Sequence, residues 1–161
     1  MSEQQDLLPS AAADQQQERP AANPERLPRW ELVALFVGDL IVFLIFAALG
    51  RSSHGLDAGS GLSLRGVLNT AIPFMTAWLL VGILAGTYRG IAFYPLLRVV
   101  GLTLLASLLT APLGAFLRAA WLGRPVIWTF VLVSAAMITL IMLIWRVGWS
   151  RLRRLWWTEL P

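Results

Sequence analysis

With 161 residues, 57% hydrophobic and only 14% charged, the chain has too little charge to coat a water-facing surface; soluble domains carry about 25% charged residues. Its formal charge of +4 rests on 13 arginines and no lysine, scattered along the chain instead of gathered on one soluble face, which argues against nucleic-acid binding. The lack of cysteine excludes disulfides and thiol chemistry, the single histidine excludes multi-histidine metal or haem ligation within one chain, and no cofactor is implied.

Residues 1–29 are rich in glutamine, alanine, proline and acidic side chains, with little that could form a core, and read as a disordered tail. No apolar segment follows a basic start within them, so they do not read as a signal peptide. Four apolar runs follow, at about 31–50, 67–87, 95–118 and 126–148. Each approaches the roughly 20 residues that a helix needs to cross the hydrocarbon core. None alternates as a membrane β-strand does. The expectation is an all-α membrane protein, a four-transmembrane-helix bundle with short loops, occupying residues 30–150.

Within that frame, "RSSHGLDAGSGLSLRG" at 51–66 reads as a flexible loop after span 1. Pro73 sits near the start of span 2, where a missing N–H is best tolerated. Residues 87–95 make a tight connection, with Tyr88 and Tyr94 expected at interfacial depth. Pro112 is expected to kink span 3, and "LGRP" at 122–125 reads as a turn. Residues 151–161 form a short basic, tryptophan-rich tail. Trp145, Trp149, Leu152 and Trp156 lie on one helical stripe, which suits either an ordinary aromatic belt closing a span or a helix lying in the interface against anionic lipid.

Orientation follows from arginine. Arg19, Arg26, Arg29, Arg89, Arg98, Arg146, Arg151, Arg153 and Arg154 fall on the side of the N-tail, second loop and C-tail, whereas Arg51, Arg65, Arg118 and Arg124 fall on the other. The positive-inside rule then puts both termini in the cytoplasm; arginine without any lysine hints at a GC-rich bacterial genome, and so at a bacterial inner membrane.

Asp39 interrupts the first span. A carboxylate at that depth costs several kcal/mol unless paired, hydrated or protonated, so it must face the bundle interior. Gly38 beside it would admit a close neighbour. Arg146, near the cytoplasmic end of span 4, could reach it. Arg51 lies twelve residues on in the same span, about 18 Å away along the axis and too far for contact. The choices are a buried pair that fixes helix register, a protonatable group in a transport path, or a ligand contact. At the outer end, Gly50, Arg51, Ser53 and His54, with Asn69, Thr70, Arg118 and Thr129, converge on one mouth. Arginines there suit a phosphate or carboxylate group, although polar loop ends with arginine anchors are also ordinary. Catalysis finds little support: "RSSHG" pairs serine with histidine too closely in sequence for a nucleophile and its base, and no phosphate loop, zinc spacing or carboxylate pair is present.

The stretches "GDLIVFLIFAALGRSSHG" at 38–55, "TAIPFMTAWLL" at 70–80, "APLGAFLRA" at 111–119 and "TFVLVSAAMITLIMLIWR" at 129–146 resemble the DUF3054 family, small bacterial membrane proteins without an assigned activity. The resemblance covers about 35–146. It implies four spans and places the family pattern on Gly38, Asp39, Gly50, Arg51, Ser53, His54, Gly55, Pro73, Phe74, Trp78, Arg118, Phe130, Trp145 and Arg146, with Thr129 where a serine is expected. No substrate comes with it. Two functions stay open. One is a small transporter-like protein, or a binder of an anionic lipid or small anion, that uses Asp39 and the outer arginines. The other is a non-catalytic structural or accessory subunit of a larger membrane complex. Small residues at 82, 86, 101, 106 and 114 could pack within the bundle or against a second copy or partner.

Overall fold

A computed structural model describes residues 27–53 and 63–158. Buried in hydrocarbon, an apolar run has no water to satisfy its backbone, so it closes its own hydrogen bonds as a helix. Four helices result: α1 (Arg29–Ser53), α2 (Leu64–Ala85), α3 (Leu96–Leu122) and α4 (Trp128–Thr158). All four are long and apolar enough to cross a membrane, and the protein is a multi-pass membrane protein. Each helix packs against the next in the chain, and α4 closes the ring against α1. We call the end where α1 begins and α4 finishes the near end, and the opposite end the far end.

The helices overrun the apolar runs. α2 begins at Leu64, capped by the Ser63 hydroxyl accepting from Gly66 N–H at 3.4 Å. Pro73 therefore lies in the helix interior and not in its first turn, leaving the Asn69 carbonyl without its usual partner. α3 runs on through Pro112 to Leu122. α4 is 31 residues long, about 46 Å, and continues through 151–158 as one helix instead of ending near 148. The expected disordered tail lies outside the described residues up to position 26, and its last residue, Arg29, already opens α1.

The core is aromatic at its centre. Phe74 meets Phe46 edge-on at 5.2 Å and Phe130 at 6.0 Å, and its ring lies where a side chain at Gly114 would stand. Gly114 is thus a packing glycine. Gly86 is not: it caps α2 with φ of 72°, a conformation that disfavours any residue with a Cβ. Gly101 is exposed, with nothing within 4 Å of where its Cβ would stand.

Candidate functional site

The polar residues divide into two groups, one at each end. The near-end group centres on Asp39, 2% exposed. Its Oδ2 accepts from Arg146 Nη2 at 2.5 Å, Tyr88 Oη at 2.5 Å and Trp78 Nε1 at 2.8 Å, and its Oδ1 accepts from Trp145 Nε1 at 3.0 Å. Trp78 also donates to the Tyr88 hydroxyl at 3.0 Å. Arg146 is equally buried. Its Nη1 donates to the Thr87 carbonyl at 3.1 Å, and its guanidinium lies 5.5 Å from Trp78, 4.9 Å from Tyr88 and 5.8 Å from Phe93. Aromatic faces of this kind stabilise a desolvated cation.

Sequence dictates each approach. Trp145 crosses α1 where position 38 lacks a side chain; a Cβ there would overlap its ring. Tyr88 arrives from the connection between α2 and α3. Gly86 turns the chain, Thr87 donates through both N–H (2.9 Å) and Oγ1 (3.1 Å) to Gly82 O, and Tyr88 is thrown inward. Tyr88 therefore turns into the bundle toward Asp39, whereas Tyr94 is 68% exposed, beneath Arg154. Burial, and next the Asp39 charge, push the Tyr88 hydroxyl above its ordinary 10.0, so it stays a donor. A pocket beside Asp39 holds about 10 Å³, at the lower limit for a single water.

A second α1–α4 pair lies below the first. Glu31, 1% exposed, meets Arg153 Nε through Oε2 at 2.9 Å. Glu31 precedes Asp39 by eight residues, and Arg153 follows Arg146 by seven. Antiparallel helices rising 1.5 Å per residue bring both pairs level. Sequence reasoning missed this rung, although the seven-residue arginine spacing was its visible signal. Of the tryptophan stripe, Trp149 is buried, 5.6 Å from the Trp145 ring, whereas Leu152 is exposed; beside Trp149, Ser150 Oγ donates to Phe93 O at 3.1 Å.

The far-end group encloses space. A cavity of about 370 Å³ is lined by Phe46, Ala47, Gly50 and Arg51 of α1, Thr70 of α2, Arg118 of α3, Ile127, and Thr129, Phe130, Val133, Ser134 and Met137 of α4. Gly50, Arg51, Thr70, Arg118 and Thr129 thus meet at one mouth. Asn69 is not in the lining; one residue from Thr70, it points about 100° away on the helix. Arg51 lies over Gly66, where a Cβ would collide with its guanidinium. Arg118 lies 5.0 Å from the Phe130 ring centroid, and its buried Nε has no hydrogen-bond partner among the described residues. Arg51 and Arg124 stand close enough to repel it. Among the described residues the acidic side chains are Glu31 and Asp39, both at the near end. Ser53 closes α1, while His54, Gly55 and Asp57 lie outside the described residues. No three histidine, aspartate or glutamate side chains among the described residues gather to hold a metal.

A ring of four membrane-crossing helices, locked at one end by buried ion pairs and hollow at the other, defines the class: a helical multi-pass membrane protein. The chain belongs to the DUF3054 family, described as proteins of unknown function, whose profile matches residues 36–149. Neither a curated protein nor a solved structure matches it. The matched segment includes Asp39 and Arg146 of the lock and every residue that lines the cavity.

Proposed function

We propose that this protein binds an anionic group in its far-end cavity, and that the Asp39–Arg146 cluster is the lock that sets the bundle's register. The observation that carries this reading is the cavity itself, where Arg51 and Arg118 border an otherwise largely apolar space of about 370 Å³. Guanidinium is the side chain best shaped to take carboxylate or phosphate through paired donors. Three arginines near one another also repel, and an anion relieves that repulsion. A proton path through Asp39 has less behind it, because the carboxylate is saturated by four donors and the pocket beside it holds only about 10 Å³.

Arginine asymmetry supports an orientation with both termini in the cytoplasm, the cavity then lying in the outer leaflet, and the lack of lysine supports a bacterial inner membrane. The test is thermal unfolding of detergent-solubilised protein with inorganic phosphate, phosphatidylglycerol or neutral phosphatidylcholine. At least one anionic probe raises the melting temperature saturably, phosphatidylcholine does not, and Arg51→Ala/Arg118→Ala abolishes the shift. An anion-dependent shift that survives the double substitution overturns the reading.

A further inference from the structure

The cavity's walls say more than its charge does. α1 and α4 touch closely at the near end, where the Trp145 ring fills the place of a Gly38 side chain. Carried along the same antiparallel register, Gly50 comes level with Ser134, and both line the cavity: no described residue lies within 4 Å of a Cβ on Gly50. The cavity forms a wedge between α1 and α4, backed by Thr70 of α2 and Arg118 of α3. Its α4 side includes Ile127 and Val133, 62% and 55% exposed. Val133 is five residues inside α4, about 7.5 Å along the axis from its start, within the segment apolar enough to span the bilayer. Side chains that are exposed at that depth face hydrocarbon, so the wedge opens sideways into lipid. Its floor, formed by Phe46, Ala47 and Met137, is apolar, while Arg51 and Arg118 stand at the loop end.

We infer that the ligand is an anionic phospholipid that enters laterally from the bilayer between α1 and α4, its phosphate on Arg51 and Arg118 and the upper part of one acyl chain on the apolar floor. The inference rests on the anion-binding reading and adds the acyl chain and the route. A hydrophilic anion would use the arginines and leave the floor and lateral opening without a role. An amphiphile matches both, with charge at the headgroup level and chain below it.

Native mass spectrometry of protein released from nanodiscs of equal phosphatidylglycerol and phosphatidylcholine tests the inference, with sn-glycerol 3-phosphate as the soluble headgroup competitor. The wild type retains one phosphatidylglycerol with about tenfold preference over phosphatidylcholine, a difference of about 1.4 kcal/mol, and excess glycerol phosphate does not displace it. Arg51→Ala/Arg118→Ala removes the preference. Gly50→Leu fills the wedge and reduces retention at least tenfold; Val133→Trp, on the exposed rim, does the same and guards against a folding defect at position 50. Retention unchanged in both wedge variants but lost in the arginine variant overturns lateral entry and leaves the anion site standing. Displacement by glycerol phosphate at equal affinity has the same meaning. Retention indifferent to the arginines removes both readings together.

Discussion

The two ends of the bundle hold arginine in opposite surroundings. At the near end, Asp39 collects four donors and Arg146 lies among three aromatic rings, with a pocket of about 10 Å³ beside Asp39. At the far end, Arg51 and Arg118 border about 370 Å³ of space, and no acidic side chain among the described residues lies there. The contrast separates two uses of charge inside a membrane. Charges that neutralise one another hold helices in register, and only charges that border empty volume are disposed to meet a ligand.

The strongest way to break this comparison is at Arg146. Arg146→Met leaves Asp39 buried without its counter-ion, and a loss of about 3–5 kcal/mol in denaturant-monitored stability is expected. Asp39→Leu/Arg146→Met recovers a large part of it, because the pair disappears together; a double variant as unstable as the summed singles would show the two residues act independently. Gly38→Leu drives a side chain into the Trp145 ring and pulls its indole from Asp39 Oδ1. About 3 kcal/mol is expected from the overpacking, read in the same unfolding assay. Tyr88→Phe deletes one of three donors to Oδ2 and costs about 1.5 kcal/mol. Because folding raises the Tyr88 pKa, the wild type loses stability as pH climbs past the ordinary tyrosine value, where the unfolded chain releases a proton that the folded one retains. Tyr88→Phe flattens that alkaline decline, and an unchanged decline would assign it elsewhere.

Much of the frame was legible in the sequence. Four apolar runs specify four helices, because lipid leaves the backbone no other solution. Asp39 had to face inward, Arg146 had the reach to meet it, and alternation of the spans brings Arg51, Thr70, Arg118 and Thr129 to one end. What escaped was whatever depended on the turn after α2 and on helix rotation. Nothing in hydropathy tells that Gly86 sends Tyr88 under Asp39 and leaves Tyr94 outside. Trp149 reads as a membrane-belt residue until α4 is seen to continue beside α1, and Asn69 reads as a mouth residue until Thr70 is seen to take that face. A composition-based boundary also stopped α4 short, at the first cluster of arginines, although one of them, Arg153, is a structural partner of Glu31.

The division between a structural end and a binding end is tested most directly by one set of melting curves. Phosphatidylglycerol is titrated into detergent-solubilised wild type, Tyr88→Phe and Arg51→Ala/Arg118→Ala. The account predicts that Tyr88→Phe melts lower but gains the same lipid-dependent shift as wild type, whereas the arginine variant melts close to wild type without lipid and gains no shift. A lipid shift retained by the arginine variant and lost in Tyr88→Phe would contradict it.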